Sequence, residues 1–90
     1  MVYVTAIKMT SSGAFPEHIT HVQWLDSSSG TSGTMSTAQT VEWLAEGNAA
    51  HVASEAGPAP VRVVKVGRGA HLRTSPDGSR ADNLLSLPRI

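Results

Sequence analysis

Strand-like apolar runs stand towards both ends of this chain, and a helical period appears once, in the middle. From Val2 to Met9, apolar side chains fall on both parities, and Val2, Tyr3, Val4, Thr5 and Ile7 are β-branched or aromatic. Successive side chains of a strand point to opposite faces, so this run predicts a central strand covered on both sides. Thr10-Ser11-Ser12-Gly13 ends it in a flexible turn that Pro16 extends. Ile19 to Leu25 predicts a second strand, with Val22 and Trp24 on its core side and Ile19, His21, Gln23 and Leu25 on the other. The polar stretch from Ser27 to Gly33 predicts a mobile hairpin loop, because too little chain precedes it to form a separate domain.

The period then changes. Ser36-Thr37-Ala38-Gln39 has the spacing of a capping box, which predicts a helix from Ser36 to Glu46. Ala38, Val41, Leu44 and Ala45 share its docking face, and Gly47-Asn48 supplies a left-handed stop. Glu42 and Glu46 repel each other one turn apart, so packing must hold this short helix.

Strand signals return at Ala49 to Ser54, centred on Val52, before a turn or loop over Ala56 to Pro60. Val61 to Val66, with four valines, is the strongest strand signal after the first. Gly67-Arg68-Gly69 turns the chain into a strand over His71 to Thr74, and Ser75-Pro76-Asp77-Gly78 is a β-turn. The leucines between Asp82 and Pro88 close the core. The pattern predicts one α+β domain over residues 1–90. Its form is an antiparallel sheet, or a small barrel-like curled sheet, with one helix.

Composition narrows the chemistry. Seven basic residues balance seven acidic ones, so no global field attracts nucleic acid or an anionic membrane, and near-zero charge favours a homo-oligomer. There is no cysteine, which removes disulfides, thiolate metal sites and cysteine nucleophiles. No apolar run reaches the roughly 18 residues of a membrane span, and no signal peptide is legible at Met1. The expected location is the cytoplasm.

Three groups of residues also carry a resemblance. They are Tyr3 to Ile7 with Ile19 to Leu25; Met35-Ser36 with Val41 to Leu44 and Gly47; and His71 to Thr74 with Asp77-Gly78 and Asp82 to Pro88. Together they resemble a family of small bacterial and phage proteins, domain-of-unknown-function family 3892. His71 stands where that family often has an aromatic residue, and the serine-glycine stretch at 27–33 is longer than usual. The resemblance implies one domain and a bacterial or phage source, with the host cytoplasm as the location if phage-encoded. It supplies no catalytic residues.

The histidines include a His18-x-x-His21 pair, but residues three apart on a strand point to opposite faces, and a zinc site would also need His51 or His71. No serine lies in a nucleophile elbow. No catalytic residue, metal or cofactor is therefore assigned. Gly67-Arg68-Gly69 lacks the spacing of a phosphate loop and reads as a turn. Asp77 and Asp82-Asn83 read as turn caps.

The candidate binding residues are basic. Arg62, Lys65, Arg68, Arg73 and Arg80 place five of the seven cations within nineteen positions. Parity puts Lys65 opposite Arg62 and Arg68. Trp43, off the helix's docking face, either flanks the core or, at the surface, is the candidate aromatic contact. The expectation is a non-enzymatic binding module for an anionic small molecule, such as a nucleotide, or for a host protein. Nucleic-acid binding through the 62–80 face is the second reading, and a small enzyme the third.

Overall fold

Two threonines shape the centre of the molecule. β1 (Val2–Met9) and β2 (Ile19–Asp26) pair antiparallel, and their register slips twice. Val4 faces Trp24 while Ala6 faces Gln23, which leaves Thr5 as an extra residue. Lys8 faces His21 while Met9 faces Ile19, which leaves Thr20 as another. Each slip is a β-bulge. Thr5 Oγ1 donates to the Gln23 carbonyl at 3.4 Å, and Thr20 Oγ1 to the Lys8 carbonyl at 3.1 Å, so each bulged hydroxyl reaches across the pair.

An inserted residue reverses the phase of the side chains beyond it. Val2 and Val4 therefore share a face with Ile7 and Met9, and Ile19 shares one with Val22; these six residues build or flank the core. The two-sided burial expected of β1 is corrected by this geometry. The strand is central, and its larger aliphatic residues serve one side. Of the opposite face, Ala6 is buried, whereas Tyr3 and His21 are half-buried and Lys8, Gln23 and Leu25 are exposed.

The computed structural model describes residues 1–10, 13, 15–54, 57–67, 69–74 and 83–90. Beyond β2 it has β3 (Ser32–Ser36), α1 (Thr37–Ala45), β4 (Ala50–Val52), β5 (Ala59–Pro60), β6 (Arg62–Val66) and β7 (Gly69–Arg73). Short 3-10 turns lie at Pro16–His18 and Asn83–Ser86. A five-stranded sheet has the order β3-β2-β1-β4-β5, and β6-β7 forms a separate two-stranded ribbon. The α+β expectation holds at this level. The barrel-like alternative is not what the strands form, because the large sheet stays open, with β3 and β5 at its edges. Nor is the sheet wholly antiparallel: β4 runs parallel to β1, with α1 on the connection between them.

β3 replaces part of the expected loop. Its residues, Ser-Gly-Thr-Met-Ser, have little β-propensity, and pairing with β2 supplies the order. Only residues 27–31 turn the chain. The Asp26 carbonyl accepts from the Gly30 amide, its carboxylate accepts from the Ser28 amide, and Gly30 adopts φ +74°. β5 likewise occupies part of the expected Ala56–Pro60 loop.

The capping box at the start of α1 forms as expected. Ser36 Oγ accepts from the Gln39 amide at 3.1 Å, and Gln39 Oε1 accepts from the Ser36 amide at 3.0 Å. Such a cap contributes about 1 kcal/mol. Gly47, at φ +98°, ends the helix. The docking face is rotated from the expected one. Ala38 and Ala45 are exposed, while Thr40 is buried and Val41, Trp43 and Leu44 pack against the core. Thr40 escapes a burial penalty because its hydroxyl donates to the Ser36 carbonyl at 2.8 Å.

Leu72 of the ribbon and Leu84 of the closing turn join Ile7 at zero exposure, each burial worth about 1.5–3 kcal/mol. The leucine closure expected near Pro88 is present, and the tail completes it. The Ile7 amide donates to the Pro88 carbonyl, and the Ile90 amide to the Ile7 carbonyl. Among the described residues, no helix is long and apolar enough to cross a membrane.

Candidate functional site

Register decides which cations meet. In the ribbon, Arg62 lies directly opposite Arg73, Val63 opposite Leu72, Val64 opposite His71 and Lys65 opposite Ala70. Residues directly opposite share a face. Leu72 and Val63 belong to the core, so their face is the inner one. The outer face therefore carries Arg62, Arg73, Val64 and His71. Lys65 falls on the inner face, as its parity predicts.

Like charges directly opposite in a ladder destabilise it, by roughly 0.2–1 kcal/mol. Arg62 is exposed and Arg73 half-buried, and Arg73 Nε is shielded from water without a hydrogen-bond partner among the described residues. The expected site residues Arg68 and Arg80 lie outside the described residues, as do the expected turn at Ser75–Gly78 and the cap at Asp82.

Lys65 stands at the rim of a different feature. A groove of about 530 Å³ runs between α1 and the strand that passes from β5 into β6. Val41, Leu44 and Ala45 form the helix wall, Val61 and Val63 the strand wall, and Lys65 and Glu42 its charged margins. The Val61 amide donates to the Ala50 carbonyl at 2.9 Å, which pins the chain where it leaves the large sheet for the ribbon. Glu42 also borders a second hollow with Ile19, Thr37, Ala38 and Ala70, so it sits on the ridge between the two.

Trp43 packs against the core and lines neither groove; its carbonyl accepts from Asn48 Nδ2 at 2.8 Å. Trp24, expected in the core, is half-buried and lies across Gly33 of β3. A Cβ at Gly33 would stand 2.9 Å from the indole, so only glycine leaves that ring its seat.

The histidines lie on separate elements: the first 3-10 turn, β2, β4 and β7. His18 Nδ1 accepts from the Phe15 amide, and His21 Nδ1 bonds the Thr20 hydroxyl. His51 stands beside Tyr3, with ring centroids 6.4 Å apart. No three His, Asp or Glu side chains among the described residues are grouped to hold a metal.

The structure thus brings Arg62 and Arg73 together and leaves Lys65 and Trp43 elsewhere. It adds Val64 and His71 to the arginine face. Strand parity alone could have indicated them once the pairing of β6 with β7 was assumed.

Residues 3–88 match the family described as protein of unknown function (DUF3892). The chain belongs to this family. The DUF3892 match runs from Tyr3 in β1 to Pro88 beside the closing turn, so it takes in the sheet, the helix and the ribbon together. No curated protein and no solved structure matched the chain.

Proposed function

We propose that this DUF3892 protein is a non-enzymatic cytosolic binding module that holds an anionic small molecule on the outer face of the β6–β7 ribbon. The observation that carries this reading is the cross-strand pairing of Arg62 with Arg73. From Val61 to Thr74 the chain has four basic residues and no carboxylate, although its total charge balances. Neither arginine makes an ion pair among the described residues. Guanidinium groups present forked donors that match phosphate and carboxylate oxygens, and two on one face suit a phosphorylated ligand such as a nucleotide. Half-buried Val64 and His71 between them offer a surface for its less polar part.

Nucleic-acid binding is the second reading, favoured by one observation: a two-stranded ribbon is an element that fits the DNA major groove. The absence of net charge weighs against it.

The test is titration of the isotope-labelled protein with ATP and with duplex DNA at two salt concentrations, followed by NMR. The expected result is that ATP shifts the amides of residues 62–66 and 69–73, and that Arg73→Gln weakens binding about tenfold. Tighter duplex binding with a steep salt dependence would transfer the assignment to nucleic acid. Absence of shifts on the ribbon with either ligand would end both readings.

A further inference from the structure

We infer that the groove between α1 and the strand passing from β5 into β6 binds an aliphatic α-amino acid, its side chain in the groove and its charged head between Lys65 and Glu42. The walls come from two periodicities. Val41, Leu44 and Ala45 lie on one stripe of α1, and Val61, Val63 and Lys65 alternate along the strand on the ribbon's inner face. The fold leaves the space between them open, and Ala45 stays exposed. A concave space of about 530 Å³ with aliphatic walls has the size and character of a small-molecule site.

The two ends of the groove differ. Asn48, Ala49 and Pro60 lie at one end, where the Val61 amide bonds the Ala50 carbonyl. Both charges stand at the other. Lys65 lies directly opposite Ala70, and Ala70 shares the second hollow with Val41 and Glu42. Glu42 and Lys65 therefore border the same end, one from the helix and one from the ribbon. They do not form an ion pair with each other. Among the described residues, neither side chain makes any other ion pair or hydrogen bond.

Two unpaired opposite charges at one mouth select the occupant. A lone carboxylate is drawn to Lys65 and repelled by Glu42, and a lone amine meets the reverse. An α-amino acid carries an ammonium and a carboxylate on one carbon, so its head answers both, and its aliphatic side chain takes the walls. An internal peptide segment carries neither charge on its backbone. The groove lies on the ribbon's inner side, so this site stands apart from Arg62 and Arg73 of the outer face.

The experiment titrates the whole labelled chain with L-leucine up to about 10 mM. The amides of Val41 to Ala45 and of Val61 to Lys65 are expected to shift. Glycine, with the same head and no side chain, should leave them unmoved. Isocaproate, which lacks the ammonium, and isoamylamine, which lacks the carboxylate, should each bind a few-fold more weakly than leucine. Two variants at exposed side chains cross these preferences. Lys65→Met should weaken leucine a few-fold and strengthen isoamylamine, whereas Glu42→Gln should weaken leucine and strengthen isocaproate. Arg73→Gln should leave leucine affinity unchanged while it lowers that for ATP, which separates the two proposals. Equal binding of leucine and its uncharged N-acetyl amide would overturn the inference, as would variants that leave the order of ligands unchanged. So would shifts confined to other elements, no shift at all, or groove shifts that follow protein concentration without ligand, which would assign the groove to a second copy of the chain.

Discussion

β1 and β6 both carry runs of β-branched residues, yet Ile7 in β1 is fully buried while Val66 in β6 is 64% exposed. The difference lies in their neighbours. β1 is flanked by β2 and β4, and the chain's tail bonds to it at Ile7. Its two threonine bulges turn a run that is apolar on both parities into a strand that feeds one core. Among the described residues, β6 has one neighbour and no bulge against it. Its alternation is left intact, with Val63 turned to the core and Arg62, Val64 and Val66 turned away. A sheet interior uses its β-branched residues for packing; a two-stranded ribbon has a second face and a second edge left over. The candidate contact surface on the ribbon's outer face arises from that surplus.

The comparison is tested most severely in the core that both regions share. Ile7→Ala and Leu72→Ala should each cost about 2–5 kcal/mol in denaturant unfolding, since both side chains are fully buried. Val66→Ala should change stability by less than about 0.5 kcal/mol. If Leu72→Ala proved as mild as Val66→Ala, the ribbon would not be docked on the core as described.

A smaller effect is expected at the bulges. Thr20→Val keeps the branched shape and removes the hydroxyl that bonds the Lys8 carbonyl. It should cost roughly 0.5–1.5 kcal/mol and perturb the NMR signals of Met9 and Ile19, which face each other beside the bulge. Unchanged stability would mean that the bulge is held by packing alone.

The smallest effect has the opposite sign. Arg62→Glu places a carboxylate opposite Arg73 and relieves the like-charge pair. It should stabilise the protein by roughly 0.2–1 kcal/mol while it removes affinity for ATP. A variant that loses stability and keeps its affinity would show that the outer face is not the anion site.

Much of the fold was legible residue by residue. The capping box at Ser36 and Gln39, the stop at Gly47 and the sealing leucine Leu84 depend on short-range chemistry and stand where the sequence predicts. β3 was not legible, because its serines, glycine and threonine carry no strand signal and gain their order from the β2 edge. The helix face was misplaced for a related reason. Thr40 is buried through its own bond to the Ser36 carbonyl, which a count of apolar positions cannot register. The candidate site was half legible: the basic cluster is visible along the chain, but its division between two faces of a ribbon is not.

Local propensity, capping and turn chemistry act over a few residues, so the α+β class, the helix and most of the strands follow from the residues alone. Phase and partnership act across the chain. Strand pairing makes Thr5 and Thr20 extra residues, lays Trp24 over Gly33 and sets Arg62 against Arg73. Register is a property of two strands together, and one residue of slip moves every later side chain to the other face.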